Sequence, residues 1–406
     1  MQICFFTENF HKGGLDTFLI NLINNWPIAD DSIFLMCNID HPGIESIESE
    51  VGSSCKVLTY WRLFLSKLSK GFSPLWRGKN VFIQKSFGMT YRVLQYPILF
   101  PWYVISLWLE FRRLQFDRLM VVNGGYPASL LCRAACVAWK LYKPRIPAVF
   151  NFHNSSQTPA WYFFAPEFII DKLVLWSSAK IVSVSNNCIQ SLSNRPAFSS
   201  SNKLTFIPNG ISDPLVKISG GKAVKQSDPP YCIMLATYEP RKGHAYLLRS
   251  FETVSQRYPL LQLHIYGYGS DTDYSRISNI IDELNLQKQV KLNGFVAGPE
   301  ELIAGASLML VPSQAFESFG LTIIEAMALS VPVVATDIGG MPEVIGSSGA
   351  GLICDHKDPQ SFANAILKVL DNPNLAKEMG ANGREEYETK YTASKMAAKY
   401  HSLITA

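Results

Sequence analysis

Two glutamates, Glu317 and Glu325, lie eight positions apart in the stretch AFESFGLTIIEAMALSVPVVATDIGG, residues 315–340. Between them, Gly320 and its neighbours mark the start of a helix after the apolar run SLMLVPS. Free backbone N–H groups at a helix start favour an anion such as a diphosphate. A carboxylate accepts hydrogen bonds and therefore suits the vicinal hydroxyls of a ribose or hexose. This pair could hold two polyols that flank a phosphate, although two acids taken alone are more typical of a cap and a polar loop.

Two further loops carry groups that suit phosphate. The stretch EPRKGH follows the apolar run YCIMLAT and places Arg241 and Lys242 just before a glycine and a helix. Two cations there would stabilise a diphosphate as a leaving group. The loop HKGGLD, with Gly13 and Gly14, follows the first apolar run and lets backbone approach a phosphate or a sugar.

Short apolar runs alternate with helical patterns, which predicts strand-helix-strand units and an α/β fold with parallel sheets. The alternation breaks over residues 212–230, which are rich in Gly, Ser, Pro and Lys and read as a linker. We therefore expect a first domain over residues 1–211 and a second over residues 231–385. Open parallel sheets bind ligands at the carboxyl ends of their strands, so two such sheets would face a cleft.

Length and composition limit the classes of protein that remain. A chain of 406 residues with 48% hydrophobic content is long enough for more than one core. A net charge of +4 argues against a bulk polyanion partner, so no nucleic acid is expected. The eight cysteines are scattered, several inside apolar runs, and read as buried reduced thiols. The amino terminus runs directly into a strand, which predicts a cytoplasmic protein.

Taken in order, these motifs make the chain resemble the retaining glycosyltransferases of the GT-B fold, the group 1 or family 4-like enzymes. The E-x7-E element with its trailing PVVAT and GG is the most specific part. The resemblance covers most of the chain and runs through Gly13-Gly14, NFHN (151–154), SVS (183–185), IPNGI (207–211), EPRKGH (239–244), YGYG (266–269), LNGFV (292–296), VPSQAFESFGLTIIEAMA (311–328) and PVVATDIGGMPEV (332–344).

The resemblance implies two Rossmann-like domains, with residues 386–406 returning as a helix to the first domain. It also implies site roles for the matching residues. The catalytic set would be His153 near the donor sugar, Lys242 and Arg241 at the diphosphate, and Glu317 beside the sugar. The donor-binding set would include Glu325 at the ribose, together with Gly13, Gly14, Phe295, Val296, Ser318, Phe319, Gly320 and Leu321.

The reaction implied is transfer of a hexose-type sugar, with retention at the anomeric carbon, from a UDP- or GDP-linked donor to a glycan or lipid-linked acceptor. Bacterial-type surface polysaccharide or lipopolysaccharide assembly would be its setting, and no metal or other cofactor is expected. The chain departs from the family where Ala236-Thr237 replace a glycine-arginine pair, and Arg241 is the candidate substitute. Asp16 replaces the usual glutamate after the Gly-Gly loop, and Ser318 stands where glycine is commonest.

Other functions stay open on the residues alone. Asp271 and Asp273 form a D-x-D pair, which suits a divalent cation. We interpret the pair as solvated residues of a polar loop. A sugar-nucleotide epimerase of related fold would bind the donor through the same residues but would need no acceptor. A non-catalytic membrane-associated scaffold is the third class of function, after the glycosyltransferase and the epimerase.

The stretch 61–118 differs most from an ordinary soluble domain. It has ten basic residues against two acidic ones and holds four of the eight tryptophans. Such a combination is attracted by an anionic membrane surface. The competing interpretation is an aromatic core with a solvated basic rim. We expect peripheral docking on the cytoplasmic face of a membrane, through the basic residues Arg62, Lys67, Lys70, Arg77, Lys79, Lys85, Arg92, Arg112, Arg113 and Arg118.

Overall fold

A computed structural model describes residues 1–60, 95–218 and 227–406. The chain forms two compact units. Unit 1 comprises Met1–Val184, Cys188–Ile207 and Ala397–Ala406, and unit 2 comprises Ser185–Asn187 and Pro208–Met396. Seven of the ten basic residues predicted to meet a membrane lie outside the described residues, namely Arg62, Lys67, Lys70, Arg77, Lys79, Lys85 and Arg92.

Unit 1 is built on a seven-stranded sheet in the order β3-β2-β1-β4-β5-β6-β7, and every neighbouring pair is parallel. Most of these strands are near-continuous apolar runs because helices cover a parallel sheet on both faces. The strands are β1 (Gln2–Thr7), β2 (Ser32–Asn38), β3 (Cys55–Tyr60), β4 (Arg118–Asn123), β5 (Ala148–Phe152), β6 (Ser178–Ser183) and β7 (Leu204–Phe206).

The helices of unit 1 alternate with these strands. A helical turn over Gln95–Leu99 leads into the third helix, and a short turn over Trp161–Phe163 leads into the fifth. The described helices are α1 (Gly14–Asn24), α2 (Ile44–Val51), α3 (Phe100–Leu114), α4 (Leu130–Tyr142), α5 (Phe164–Ser177) and α6 (Asn186–Gln190), whose first two residues belong to unit 2.

Unit 2 contains a six-stranded parallel sheet in the order β10-β9-β8-β11-β12-β13. Its strands are β8 (Tyr231–Leu235), β9 (Gln262–Tyr266), β10 (Val290–Asn293), β11 (Leu308–Val311), β12 (Val333–Thr336) and β13 (Gly351–Cys354). Its helices are α7 (His244–Arg257), α8 (Asp271–Glu283), α9 (Glu300–Ala304), α10 (Leu321–Ala328), α11 (Met341–Ile345), α12 (Pro359–Leu370) and α13 (Pro373–Glu386). The predicted α/β class with two parallel sheets is confirmed.

The last helix, α14 (Ala393–Thr405), joins unit 1 from Ala397 onwards. There the Asn151 side-chain amide donates a hydrogen bond to the Tyr400 hydroxyl at 2.8 Å. The return begins later than residue 386 because Tyr391 still belongs to unit 2, where its hydroxyl donates a hydrogen bond to the Val344 carbonyl at 3.1 Å. Unit 1 also ends before residue 211, since Ile211 forms an isolated parallel bridge with Thr392 inside unit 2.

All eight cysteines are buried and free, as the sequence predicts. Over the residues that the structure describes, no helix has both the length and the apolar character needed to cross a membrane.

Candidate functional site

The loop after β8 brings Lys242 to the carboxyl edge of the second sheet. A short helical turn over Pro240–Lys242 ends at Gly243, whose φ of +81° lies in the left-handed region. A Cβ atom at Gly243 would stand 1.9 Å from the Pro312 carbonyl oxygen, so only glycine allows the loops after β8 and β11 to approach this closely. The Gln314 backbone N–H donates to the Arg241 carbonyl at 2.7 Å and joins the same two loops.

Lys242 and Glu317 meet at this junction. The Lys242 Nζ lies 2.5 Å from Glu317 Oε2, and both side chains are largely buried. The Ser313 hydroxyl lies 3.4 Å from the same carboxylate oxygen. Two residues that the sequence nominated separately therefore form one ion pair at the sheet edge.

Arg241, the candidate substitute for the missing upstream arginine, lies on the same turn. Its Nε is 2.6 Å from Glu239 Oε2, and a terminal nitrogen donates to the Phe316 carbonyl at 3.3 Å. The guanidinium thus reaches the loop that carries Glu317, with part of its charge balanced by Glu239.

The segment Ser318–Leu321 forms the loop end and the start of α10. Gly320 adopts a φ of +90°, which an L side chain rarely adopts, and α10 begins at the next residue. The side chains of Ser318 and Phe319 are buried, and the Phe319 ring packs edge-on against Tyr391 at 5.9 Å. These two side chains anchor the loop and are not available to a ligand.

The Gly339-Gly340 turn after β12 supports the backbone of the same loop. The Gly340 N–H donates to the Glu317 carbonyl at 2.9 Å. A Cβ at Gly339 would lie 1.8 Å from that carbonyl oxygen, and one at Gly340 would lie 2.2 Å from the Ser318 carbonyl oxygen. The glycine pair is thereby explained: it lets the turn after β12 pack directly against the loop that presents Glu317.

Glu325 lies on the second turn of α10 and is half-buried. Burial raises the pKa of its carboxyl from 4.5 to about 7; the charge of Glu300 adds to the rise and the charge of Lys217 opposes it. Lys217 and Glu300 form an ion pair with Nζ and Oε1 3.0 Å apart. The sequence did not single out either residue, because Lys217 falls in the aperiodic linker and meets Glu300 only in the folded chain.

Phe295 and Val296 follow β10. Phe295 is exposed, and its ring stands edge-on to that of Tyr268, with centroids 6.0 Å apart. Tyr268 comes from the loop after the adjacent strand β9 and is also exposed. The two rings form an accessible aromatic pair, of which the sequence nominated only Phe295.

In unit 1, the loop before α1 is held by Asp16. The Gly13 N–H donates to Asp16 Oδ2 at 3.0 Å, while the Asn9 side-chain amide donates to Asp16 Oδ1 at 3.2 Å. A Cβ atom at Gly13 would meet no atom within 4 Å, so the space beside this glycine is open. Asp16, which replaces the usual glutamate, thus fixes the start of α1 and the Gly13-Gly14 loop.

His153 follows β5, and burial lowers the pKa of its ring from 6.5 to about 3. The imidazole is therefore neutral at physiological pH and packs against the Phe18 ring at 4.4 Å. Its Nε2, together with Thr7 Oγ1 and Asn123 Nδ2, is buried without a hydrogen-bond partner among the described residues. Thr7 and Asn123 end the adjacent strands β1 and β4, and His153 follows β5, so their free polar atoms gather at one edge of the first sheet.

The D-x-D pair does not lie in a polar loop, and that part of the interpretation is wrong. Asp271 and Asp273 occupy the first turn of α8. Asp273 pairs with the N-cap Ser270 in a capping box and forms an ion pair with Arg276 at 3.0 Å. A polar Gly-Ser stretch followed by acids is also how a helix begins, which explains the error.

Elsewhere in the described chain, Asp337, Asp355 and His356 bring possible metal ligands together, although His356 Nδ1 already lies 2.7 Å from Asp337 Oδ1.

Comparison with known proteins gives a family match over part of the chain. Residues 219–386 match the model of the Glycosyl transferases group 1. The N-acetyl-alpha-D-glucosaminyl L-malate synthase of Bacillus anthracis is 31% identical over 33% of this chain, and the match spans only 35% of that relative. The GDP-mannose-dependent alpha-(1-6)-phosphatidylinositol monomannoside mannosyltransferase of Mycobacterium tuberculosis is 24% identical over 82% of this chain and 88% of its own length.

Solved structures are similar over the whole chain. The crystal structure of Anabaena Alr3699/HepE in complex with UDP aligns over 100% of both chains with a TM-score of 0.71 and 17% sequence identity. A glycosyltransferase from Rickettsia africae aligns over 100% of this chain and 97% of its own, with a TM-score of 0.75 and 17% identity. At this identity, the likeness shows a shared fold.

Proposed function

The chain belongs, through residues 219–386, to the Glycosyl transferases group 1, and we propose that it transfers a hexose-type sugar from a nucleotide diphosphate sugar to a glycan or lipid-linked acceptor. In this proposal the anomeric configuration is retained and no metal takes part. The enzyme works in the cytoplasm, in surface polysaccharide or lipopolysaccharide assembly.

The Lys242–Glu317 ion pair beside the start of α10 is the observation that carries the proposal. When the bond to the donor sugar breaks, negative charge accumulates on the departing diphosphate. Lys242, with Arg241 on the same turn and the free N–H groups of the first turn of α10, would stabilise that charge. Glu317 orients the ammonium group of Lys242 and would contact the hydroxyls of the sugar.

Two other features of unit 2 suit the nucleoside. Glu325, as a carboxylate, would accept hydrogen bonds from the ribose hydroxyls. The exposed rings of Tyr268 and Phe295, which stand edge-on to each other, each offer an apolar face on which a base could stack. The related proteins support UDP or GDP as the nucleotide, because one solved structure holds UDP and one relative is named for GDP-mannose.

Unit 1 would hold the acceptor. The free polar atoms of Thr7, Asn123 and His153 can hydrogen bond to hydroxyl groups. Because the His153 ring is neutral, its role would be to accept or donate a hydrogen bond rather than to act as an acid. The acceptor proton would pass to an oxygen of the leaving phosphate, which needs no side-chain nucleophile.

The experiment is a donor screen with the full chain and UDP- or GDP-linked hexoses, in which nucleotide release and sugar products are followed with and without glycan and glycolipid acceptors. Wild-type protein should release nucleotide and form a glycoside, and NMR should show the anomeric configuration of the donor. Lys242→Ala should lose this activity, whereas Lys288→Ala, which changes an exposed lysine on unit 2, should keep it. Epimer formation without any acceptor would instead identify an epimerase, and no reaction with any donor would favour a scaffold.

A chelator distinguishes a metal-independent transfer reaction from a metal-dependent one. Under the proposal, EDTA leaves transfer unchanged. Loss of transfer with EDTA, restored by Mg²⁺ or Mn²⁺, would contradict the metal-independent reaction.

A further inference from the structure

Helix α3 exposes an apolar stripe to solvent. Trp102, Ile105 and Leu109 of α3, with Ile98 of the turn that leads into it, recur at intervals of four, three and four residues, which places them on one face. Each of the four is between 54% and 60% exposed. The opposite face, with Tyr103, Leu107 and Phe111, fills the core of unit 1, so the stripe takes no part in that core.

A second group of exposed rings adjoins the stripe. Trp161, Tyr162 and Phe164 are 86%, 53% and 45% exposed, respectively. Tyr96, just before Ile98, packs its ring on Phe163 at 5.4 Å and donates a hydrogen bond to Glu167 of α5 at 2.6 Å. These contacts join the start of α3 to the start of α5. The apolar surface of unit 1 is defined here as Ile98, Trp102, Ile105, Leu109, Trp161, Tyr162 and Phe164.

The exposed charges beside this surface are mainly positive. Arg112 and Arg113 lie in the last turn of α3. Lys172 of α5 lies over the Phe168 ring, which stacks on Phe164 of the apolar surface. Arg112 also lies over the Trp108 ring at 4.7 Å. Glu110 is the acid on α3, and it is hydrogen bonded to Arg113.

The acids of α5 do not offset this charge. Glu167 and Asp171 are buried, where Glu167 pairs with Arg133 and Arg195, and Asp171 pairs with Arg195. The apolar surface therefore has a net positive border, in which Glu110 pairs with Arg113 while the acids of α5 pair with buried arginines.

We propose that the apolar surface of unit 1 docks on an anionic lipid bilayer. Trp and Tyr side chains prefer the depth of the lipid headgroups, and aliphatic side chains beside them can enter the acyl boundary. Arg112, Arg113 and Lys172 would contact anionic headgroups, each adding to the attraction. Large exposed apolar patches mark protein or membrane interaction sites, and the basic border favours the membrane here.

Docking would bring unit 1 to the surface where a lipid-linked acceptor resides. This role of docking rests on the proposed function. The residues involved are separate from Lys242, Glu317 and Glu325. Loss of docking and loss of transfer can therefore be observed independently.

The test is co-sedimentation of the full chain with vesicles of phosphatidylcholine alone or mixed with phosphatidylglycerol, at low and high salt. Wild type should bind the anionic vesicles and lose most of this binding at high salt. Trp102→Ser combined with Ile105→Ser should lower the affinity at least tenfold. Arg112→Ala should lower it about fivefold. Arg113→Ala should lower it less, because Glu110 already balances the charge of Arg113. Leu260→Ser, which alters an exposed leucine of unit 2, is the matched control and should bind as wild type does.

A second readout locates the contact. Lipids brominated in the acyl chain should quench tryptophan fluorescence, and Trp161→Phe combined with Trp102→Phe should reduce that quenching. Transfer to a water-soluble acceptor should be unchanged in these variants, which shows that they remain folded.

Three results would overturn the proposal. One is absence of binding to anionic vesicles at low salt. Another is equal binding by wild type and the Trp102→Ser, Ile105→Ser variant. The third is a dimer in solution that this variant dissociates, because the surface would then bind a second copy of the chain.

Discussion

The Lys242 Nζ lies 2.5 Å from the Glu317 Oε2, although the two residues are 75 positions apart in the chain. Lys242 follows β8 and Glu317 follows β11, and these strands are neighbours in the second sheet. Their carboxyl ends are adjacent because the strands are parallel. The pair is therefore a direct consequence of sheet order, and the predictions about donor chemistry start from it.

Lys242→Ala should lower kcat about 100-fold with a smaller effect on donor affinity, since its charge matters most when the leaving group becomes negative. Arg241→Ala should cost about tenfold or less, because Glu239 already balances part of its charge. Steady-state kinetics with donor binding measured by calorimetry would separate the two effects. Equal losses in the two variants would show that Arg241 supplies as much charge as Lys242.

Glu325→Gln should weaken donor binding, because hydrogen bonds to a charged acceptor contribute about 1.5–3 kcal/mol. The wild-type carboxyl has a pKa of about 7, so the carboxylate, and with it donor affinity, should increase as pH rises through 7. The variant should lose this pH dependence. Calorimetric titration from pH 5.5 to 8.5 checks it, with the exposed Glu283→Gln as control. If donor affinity depends on pH in Glu325→Gln as it does in wild type, Glu325 does not bind the ribose.

The raised pKa of the Glu325 carboxyl also predicts how the free energy of unfolding changes with pH. Its pKa is 4.5 in the unfolded chain and about 7 in the native state, so the native state binds the proton more tightly. Its contribution to the free energy of unfolding is present below pH 4.5 and is lost as pH rises to 7. Urea unfolding at pH 5 and pH 8 should therefore show a smaller pH-dependent fall for Glu325→Gln than for wild type. A larger fall in the variant would contradict the raised pKa.

Gly339→Ala should destabilise the protein by about 2 kcal/mol or more, because its φ of +64° and the nearby Glu317 carbonyl both exclude a Cβ atom. Gly13→Ala is the matched control. Its backbone is extended and the added Cβ meets nothing within 4 Å, so stability should change by less than about 0.5 kcal/mol. Thermal unfolding of both variants decides the matter, and a stable Gly339→Ala protein would contradict the close approach.

Arg195→Met should destabilise unit 1 by about 3–5 kcal/mol, because it leaves two buried carboxylates with less positive charge. Arg195 is fully buried, and its Nε lies 2.8 Å from Asp171 Oδ2. The exposed Arg113→Met variant should be close to neutral. Denaturant unfolding measures the free energy of unfolding of both variants. Similar losses in the two would mean that the buried ion pairs of Arg195 stabilise the protein no more than an exposed arginine does.

The strands and most helices follow from hydrophobic period, because an apolar run such as YCIML must be buried on both faces of a sheet. The sequence predicts a loop at Asp271 where the structure has a helix start, since capping residues and turn residues are the same types. The sequence also does not predict the unit boundaries near residues 207 and 397. They depend on Ile211 pairing with Thr392, a contact between distant segments.

At the candidate site, residue types and order were readable from the sequence alone: an acid pair flanking a helix start, cations before a glycine, and a Gly-Gly turn. Tertiary structure determines the protonation states of these groups. Burial determines that His153 is neutral and that Glu325 titrates near pH 7, because the free energy of a charge depends on its surroundings. Lys217, Glu300 and Tyr268 joined the site only through folding. Sequence order determines which groups the chain carries, but packing between distant segments sets their distances and their solvation.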